Sequence, residues 1–250
     1  MHEEPLTGGN VAAAVVRVGD TVRKPVTAAT PAVEALLRHL DAAGFDGAPR
    51  WVGRDASGRY VLEFVPGAVA HSGPPMPLDD LQRVGVLIRR LHDAVASFVP
   101  PADSAWDCPL PAEGSEIVCH NDLAPWNLVL DGDRWVFVDW DAAAPGTRLS
   151  DLAYAVHGFC GIAAGNDPDR DARRIVALAD GYDLAMPDRL RLPDAVERRI
   201  RAMADLLAAG ATSGEQPWAR LFAEGHWEHW GPAADHAAAH RERWRRALAR

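Results

Sequence analysis

Residues 120–127 carry the sequence His120-Asn121-Asp122-Leu123-Ala124-Pro125-Trp126-Asn127, and Asp139 follows twelve residues after Asn127. The side chains of Asp122, Asn127 and Asp139 carry carboxylate or amide oxygen atoms. Carboxylate and amide oxygens, together with phosphate oxygens and water, are the ligands that Mg²⁺ prefers. Asp139 also ends an apolar run that is typical of a buried strand, Val136-Phe137-Val138. The stretch therefore predicts a loop and a strand end that bring hard oxygen ligands together.

The spacing His-x-Asp-x₄-Asn, with a later Asp after a strand, is that of the catalytic loop of phosphoryl-transfer enzymes. In that chemistry Asp122 is expected to accept the proton of an attacking hydroxyl. Asn127 and Asp139 are expected to hold Mg²⁺ against nucleotide phosphates. His120 is interpreted as a residue that hydrogen-bonds and shapes the loop. An isolated His-x-Asp is not evidence for phosphoryl transfer, so the prediction depends on the complete spacing and on the strand before Asp139.

The overall composition is that of a soluble globular protein. The 250 residues are 48% hydrophobic and 24% charged, with a net charge of −9, which argues against a nucleic-acid partner. No apolar run approaches the about 20 residues that span a bilayer, and the N-terminus lacks the basic and apolar regions of a signal peptide. Three scattered cysteines predict reduced thiols. We therefore expect a cytoplasmic protein with no membrane partner.

The pattern of the chain changes near residue 66. Before it, apolar segments at 11–18, 21–26, 50–54 and 59–65 predict short strands, and one helix starts at Thr30-Pro31. After Pro66-Gly67 a core helix spans 78–97, and helical patterns occupy most of the chain from Leu149. This pattern predicts an α+β bilobal protein. A small lobe, 1–65, has an antiparallel sheet and one helix; a larger, mainly helical lobe covers 66–250, with a hinge at about 63–67.

The motifs together resemble the aminoglycoside phosphotransferase/choline kinase-like family. The resemblance is carried by Cys119–Asp139, by Asp139-Trp140-Asp141 and by Gly146–Ala153. It implies a protein-kinase-like fold in which the small lobe binds the nucleotide. It also implies transfer of the γ-phosphate of ATP, with Mg²⁺, to a hydroxyl of a small molecule. GTP is the alternative donor.

Two features separate the chain from protein kinases. Asn121 stands where a protein kinase has the Arg of His-Arg-Asp, and only eleven residues lie between Asp139 and Asp151, with no Ala-Pro-Glu after them. A peptide-binding activation segment does not fit in that interval. A small hydroxylated molecule is the better substrate.

The residue that contacts the phosphates is expected on the third strand by resemblance. The best register places it at Arg23, with Lys24 as the alternative, because adjacent strand residues point to opposite faces. The partner Glu of the next helix falls at Val33 in that register, and Glu34 is one position away. Either an Arg at this position needs no ion pair with a glutamate, or Glu34 reaches the basic residue because the helix is rotated.

The other nucleotide contacts are also expected from the resemblance. Gly8 and Gly9 form a short glycine-bearing loop just before the predicted strand at 11–18. The hinge backbone at Glu63 and Val65 is expected to present a carbonyl and an amide to adenine.

The candidate substrate residues are Asp141, Glu224 and Trp227. Asp141 is interpreted as a contact to substrate or to the edge of the metal site, or as a solvent-facing turn residue. Acidic and aromatic groups such as Glu224 and Trp227 suit a cationic sugar, although the tryptophans at helical spacing also suit helix packing. Asp151 is expected to anchor the catalytic region by hydrogen bonds.

These residues predict an ATP- and Mg²⁺-dependent small-molecule phosphotransferase that acts as a monomer or homodimer. Its acceptor is an aminoglycoside or another antibiotic. The alternatives are a metabolic kinase with a sugar, choline-like or homoserine-like acceptor, and a catalytically inactive kinase-like binding module.

Overall fold

The computed structural model describes residues 2–6, 15–110 and 114–250, so the predicted glycine loop at Gly8 and Gly9 lies outside the described residues. The first part of the chain forms an antiparallel five-stranded sheet in the order β1-β2-β3-β5-β4. Its strands are β1 (Glu4–Pro5), β2 (Val16–Val18), β3 (Thr21–Lys24), β4 (Trp51–Arg54) and β5 (Tyr60–Glu63). Helix α1 (Thr30–Ala42) connects β3 to β4 and buries one apolar face, Val33, Leu36, Leu37 and Leu40.

The rest of the chain is mainly helical and carries two small antiparallel sheets. One sheet has three strands in the order β6-β8-β9, and the other pairs β7 with β10. These strands are β6 (Ala68–Val69), β7 (Ile117–Cys119), β8 (Leu128–Asp131), β9 (Arg134–Phe137) and β10 (Ala144–Gly146). The helices are α2 (Leu78–Val95), α3 (Arg148–Cys160), α4 (Pro168–Gly181), α5 (Met186–Ser213), α6 (Trp218–Ala223) and α7 (Trp227–Leu248). None of the helices in the described ranges has both the length and the apolar character of a membrane span.

A single apolar core connects the five-stranded sheet to the helices. It includes Leu36 of α1, Leu62 of β5, Ile88 of α2, Leu128 of β8 and Trp244 of α7, all buried. Burial of apolar surface contributes about 25 cal/mol per Å². The sheet and the helical part are therefore stabilised by the same core, and the strands that flank the catalytic loop are packed into it.

The β8–β9 hairpin is also tied to the end of the five-stranded sheet by an ion pair. Arg134 of β9 donates to both carboxylate oxygens of Glu63, at 2.7 and 3.1 Å, and to the carbonyl oxygens of Asp46 and Ala48. Arg134 lowers the pKa of Glu63, since its hydrogen bonds favour the ionised carboxylate. The chain leaves β5 at this point, where the hinge is predicted.

Helices α2 and α4 cross at a contact that only glycine permits. A Cβ atom on Gly85 would lie 2.3 Å from the carbonyl oxygen of Leu178, and one on Gly181 would lie 2.0 Å from that of Gln82. The clashing atoms belong to backbone, which cannot turn aside as a flexible side chain does. This close approach brings His92, near the end of α2, to Tyr182, which follows α4.

Replacing Gly85 with Ala is expected to lower the free energy of unfolding by about 1–3 kcal/mol, as overpacking does in cores. That cost exceeds the gain in helix propensity, which is about 1 kcal/mol for Gly to Ala. Urea denaturation followed by circular dichroism measures the change. The matched control is Val86→Ala on the exposed side of α2, with an expected change of about 0.5 kcal/mol or less. A Gly85→Ala protein as stable as the wild type would show that the two helices separate at no cost.

Candidate active site

The predicted catalytic loop lies between β7 and β8, and Asp151 of α3 fixes its backbone. The Asp151 carboxylate accepts hydrogen bonds from the backbone amides of His120, at 3.1 Å, and Asn121, at 2.8 Å. It is almost fully buried and also contacts Nε2 of His92 at 3.1 Å, whose Nδ1 lies 2.8 Å from the Tyr182 hydroxyl. These hydrogen bonds show that Asp151 anchors the catalytic loop, as expected from the sequence.

The Asp151 carboxyl stays ionised despite its burial. Burial by itself would raise its pKa, but hydrogen bonding and electrostatic interaction with His92, together with the bond from the Asn121 amide, bring the pKa of Asp151 below its ordinary value. Charge-assisted hydrogen bonds are about twice as strong as neutral ones. An ionised Asp151 is therefore a firm attachment for the start of the loop.

Asn121 adopts the left-handed backbone conformation, with φ of 65°. Asn is among the few residues that reach this region at low cost. Its side-chain amide donates to the carbonyl oxygens of Ala142 and Ala144, and its own carbonyl accepts from Arg199 of α5 at 3.0 Å. Asn121 thus connects the loop to the segment after Asp139 and to helix α5.

His120 lies beneath the loop. Its Nε2 is 3.1 Å from the carbonyl oxygen of Val138, its Nδ1 accepts from the amide of Asp122 at 3.3 Å, and its ring packs 4.5 Å from that of Trp140. Both ring nitrogens are engaged with the backbone of the loop and of the strand end. These contacts agree with the predicted loop-shaping role.

Asp122 and Asn127 contact each other directly. The Asn127 amide donates to the Asp122 carboxylate at 2.7 Å and to the Asp122 carbonyl oxygen at 3.0 Å. The Tyr154 hydroxyl of α3 also hydrogen-bonds to Asp122, and this favours the ionised carboxylate. Burial is the larger effect and raises the pKa of Asp122. The geometry suits a carboxylate that accepts a proton, because a raised pKa makes it a stronger base.

Asn127 and Asp139 also come together. The backbone amide of Val138 donates to the carbonyl oxygen of Asn127 at 2.8 Å, so the strand end lies beside the loop. Asp139 follows with φ of 63° and keeps its carboxylate about one-third exposed. The donor set fits Mg²⁺: one carboxylate and one amide oxygen leave room for phosphate oxygens and water, as this ion requires. Within the described ranges no cluster of three or more His, Cys, Asp or Glu residues could hold a metal ion.

Lys24, rather than Arg23, points toward this region. The Lys24 side chain is buried, and its Nζ lies 2.7 Å from Oδ1 of Asp139. Arg23 points to the other face of β3 and pairs with Asp55 at 3.3 Å. The register in the sequence favoured Arg23, whereas in the structure it is Lys24 that meets Asp139; which of the two contacts the phosphates stays a prediction. Adjacent strand residues face opposite ways, and only Lys24 lies on the face that meets Asp139.

The predicted helix partner does not reach Lys24. Val33 is buried in the core, and Glu34 pairs with Arg38 of the same helix at 3.0 Å. Burial by itself would lower the pKa of Lys24, but Asp139 and Asp141 raise it well above its ordinary value. Lys24 therefore carries a full positive charge beside the predicted metal ligands.

The two predicted hinge residues have different surroundings. The amide of Glu63 donates to the carbonyl oxygen of Arg50 at 2.9 Å, so it is used inside the sheet. The side chain of Val65 is buried against Val129 and Val136 of the β8–β9 hairpin. The contact of the Glu63 carbonyl and the Val65 amide with adenine stays a prediction.

The three predicted substrate residues lie in different places. Asp141 contacts Lys24 and the hydroxyl of Tyr60, so it faces the five-stranded sheet. Glu224 pairs with Arg220 at 2.9 Å, and Trp227 is partly exposed, 6.3 Å from the ring of Phe222. Substrate contact by these residues stays a prediction.

A different group of side chains surrounds Asp122 from the helical side. Trp230 stacks on Tyr154, whose hydroxyl bonds to Asp122, and the guanidinium of Arg199 lies 4.8 Å from the centre of the Tyr154 ring. The edge of the exposed Trp126 ring lies against Tyr154 as well. The position of Tyr154 could have been inferred, because it lies three residues after Asp151 on the same helix face. Nothing in the sequence pointed to Arg199, which is distant from the loop along the chain.

Comparison with known proteins agrees with this geometry. Residues 102–193 match the model of the phosphotransferase enzyme family. The resemblance inferred from Cys119–Asp139 is confirmed.

A stretch of 161 residues, 62% of the chain, is 37% identical to the trifolitoxin immunity protein of Rhizobium leguminosarum bv. trifolii. The match spans 61% of that relative.

Two solved structures cover nearly the whole chain. A choline/ethanolamine kinase family protein from Mesorhizobium loti is 18% identical, with a TM-score of 0.62. The match covers 100% of this chain and 92% of the Mesorhizobium loti chain. An amicoumacin kinase solved with AMP-PNP and Ca²⁺ is 14% identical, with a TM-score of 0.69. The match covers 99% of this chain and 87% of the amicoumacin kinase chain. These likenesses confirm the predicted kinase-like fold.

The buried His157, which pairs with the exposed His229, makes stability depend on pH. His157 Nε2 lies 3.0 Å from His229 Nε2, and Trp230 stacks on the His157 ring at 4.2 Å. Burial, with smaller effects from His229 and Arg199, lowers the pKa of His157 from 6.5 to about 3. An unfolded chain takes up the proton near pH 6.5, whereas the folded protein does not. The stability contributed by neutral His157 is therefore complete above pH 6.5 and is lost as the pH falls toward 3.

The free energy of unfolding is expected to fall by up to about 1.4 kcal/mol per pH unit below pH 6 because of His157. In His157→Gln this slope is expected to be shallower, whatever the absolute stability of the variant. Urea denaturation at several pH values between 7 and 5 measures both slopes. The control is His2→Gln, at an exposed residue, which should keep the wild-type slope. Equal slopes in His157→Gln and the wild type would contradict the assignment.

Proposed function

We propose that this chain is an ATP- and Mg²⁺-dependent phosphotransferase that acts on a hydroxyl of a small molecule. The observation that carries the proposal is the contact between Asp122 and Asn127 at 2.7 Å, beside Asp139 and the buried Lys24. A base, two metal ligands and one cation for the phosphates are the parts that phosphoryl transfer requires. The match of residues 102–193 to a family of phosphotransferase enzymes supports the same activity.

Each residue has a role in this proposal. Asp122 orients the acceptor hydroxyl and accepts its proton, while Tyr154 and Asn127 fix the direction of its carboxylate. Asn127 and Asp139 would hold Mg²⁺, which neutralises charge on the phosphates when bound. Lys24 contributes a second positive charge, and residues 1–65 form the nucleotide-binding lobe. Catalysis of this kind depends on positioning and charge more than on covalent chemistry.

An antibiotic or toxin with a free hydroxyl is the acceptor that we favour. The 37% identity to a trifolitoxin immunity protein supports it, as does the fold shared with an amicoumacin kinase. A metabolic acceptor of the choline or ethanolamine type is the second candidate, which the likeness to a choline/ethanolamine kinase family protein supports. The complex of the amicoumacin kinase with AMP-PNP supports ATP as the donor.

Replacing Asp122 with Asn is expected to lower kcat by about a hundredfold or more, because the variant lacks the base. Release of ADP, coupled to an indicator reaction, is measured with a panel of hydroxylated antibiotics, choline, ethanolamine and homoserine. The matched control is Asp133→Asn, at an exposed turn residue between β8 and β9, which should keep the wild-type rate. Wild-type turnover in Asp122→Asn would overturn the assignment of the base. Absence of ADP release with every acceptor and with water would favour an inactive binding module.

Replacing Lys24 with Met is expected to weaken the binding of MgADP by about tenfold or more, because a charge-assisted contact to the phosphates is lost. Arg23→Met is the matched control, since it changes the adjacent residue on the opposite face of β3, and its affinity should stay within about twofold of the wild type. Isothermal titration calorimetry measures both dissociation constants. A larger loss in Arg23→Met than in Lys24→Met would support the register that the sequence first suggested.

A further inference from the structure

Lys24 is the only lysine among the 26 basic residues of this chain; the other 25 are arginines. It is also buried, with a side chain 8% exposed. In the related fold an acidic residue of the following helix is expected to orient such a lysine, but here Val33 and Glu34 of α1 are engaged elsewhere. A buried cation needs an anionic partner, because an unpaired charge is costly to bury. Asp139 is one such partner, 2.7 Å from Nζ, but the proposed function assigns it to the metal ion, so another residue must orient Lys24.

The first candidate for that role is Tyr60, which stands beside Lys24 in the sheet. Lys24 of β3 and Tyr60 of β5 are directly opposite each other in the antiparallel register. Opposite residues of this kind project from the same face of the sheet. The Tyr60 ring is buried and stacks on Trp51, with ring centroids 5.3 Å apart and planes 10° apart. The Tyr60 hydroxyl is therefore fixed in position next to the lysine.

Asp141 connects these two residues. Its Oδ1 accepts a hydrogen bond from the Tyr60 hydroxyl at 2.8 Å, and its Oδ2 lies 2.5 Å from Nζ of Lys24. Both oxygens of one carboxylate are thus engaged by two neighbouring residues of the five-stranded sheet. Asp141 itself lies two residues after Asp139, in the turn Trp140–Ala142. The contact therefore joins the sheet to the segment that carries the predicted metal ligand.

We propose that Asp141, fixed by the Tyr60 hydroxyl, is the residue that positions Lys24, in the place of a glutamate on helix α1. The proposal rests on the function proposed above, in which Lys24 contacts the phosphates. The proposal gives the two aspartates different roles. Asp139 binds the metal ion with Asn127, whereas Asp141 keeps Lys24 directed at the phosphates.

The charges and exposures favour a positioning role over a purely stabilising one. Asp141 has a side chain that is 48% exposed, so its attraction to Lys24 is partly screened by water. The hydrogen bond from the rigid Tyr60 fixes the direction of the carboxylate and hence of Lys24. Tyr60→Phe removes this bond, changes no charge and keeps the stacked ring. It is therefore the sharpest variant with which to test the idea.

The first measurement uses the single lysine as a reporter and needs no nucleotide. The protein is treated with an amine-reactive acylating reagent, and mass spectrometry follows acylation of Lys24. In the wild type the reaction is expected to be slow, because Lys24 is buried and paired. Tyr60→Phe and Asp141→Asn are expected to accelerate it several-fold, and the double variant to be no faster than Asp141→Asn alone. Equal acylation rates in the wild type and both single variants would overturn the proposal.

The second measurement is the affinity for ATP in EDTA, by calorimetry, where no metal ion contributes. Tyr60→Phe is expected to weaken binding by about fivefold, which corresponds to about 1 kcal/mol, the size of one hydrogen bond. Asp141→Asn should weaken it at least as much, and Asp141→Glu should restore part of the loss. In turnover, Tyr60→Phe should raise KM for ATP while kcat stays within about twofold and the Mg²⁺ requirement stays unchanged.

The outcomes distinguish this proposal from the general one. A change in the Mg²⁺ requirement of Asp141→Asn, with metal-free affinity and acylation rate unchanged, would make Asp141 a metal ligand and overturn the positioning role. If the wild-type protein binds no nucleotide, but Lys24 is acylated faster in both variants than in the wild type, the proposed function is refuted and the contact of Asp141 with Lys24 is supported. Thermal unfolding of each variant shows whether a change reflects global loss of structure.

Discussion

The active site depends on one buried carboxylate. The Asp151 carboxylate accepts hydrogen bonds from the backbone amides of His120 and Asn121, and its contact with His92 favours the ionised state. His92 in turn reaches Asp151 because α2 and α4 approach closely at Gly85 and Gly181, which also brings Tyr182 into contact with it. Removing one member of such a buried set leaves an uncompensated polar group, and that costs several kcal/mol. Packing of helices distant from the loop therefore determines where the loop backbone lies, and with it Asp122.

From this anchor the site is assembled by backbone contacts more than by side-chain pairs. Asn121 accepts a left-handed conformation and bonds to the segment of Ala142 and Ala144, while Val138 bonds to Asn127. These bonds bring the loop and the strand end together before any ligand binds. Preorganisation of this kind reduces the cost of ordering the reacting groups. The pKa of Asp122 is raised by burial in this arrangement, which makes it a better base, and Tyr154 and Asn127 keep the carboxylate from protonating too readily.

The sequence was sufficient to predict which local parts of the candidate site lie together, and it was insufficient where the arrangement depends on the sheet. The spacing of Asp122, Asn127 and Asp139 was sufficient, because one loop and one hairpin join them. The choice between Arg23 and Lys24 required the face of β3 that meets Asp139, and a shift of one residue reverses that face. The composition nevertheless drew attention to position 24, because Lys24 is the one lysine in a chain with 25 arginines. The contacts of Tyr60 with Asp141 and of Arg199 with Asn121 span 81 and 78 residues, and no local pattern encodes them.

The compact ammonium group of Lys24 suits its position between two aspartates. An ammonium is a compact charge with three donors in a tetrahedral arrangement, whereas a guanidinium is a planar fork. Lys24 contacts Asp139 and Asp141 on different sides of Nζ, at 2.7 and 2.5 Å. Two donors are then directed at the carboxylates, and the third can meet a phosphate oxygen. A planar guanidinium presents its donors in one plane, and in this protein it also pairs with two carboxylates, as Arg59 does with Asp55 and Glu3. At Lys24 the two aspartates surround a single nitrogen atom, an arrangement that matches the compact ammonium group rather than the larger guanidinium.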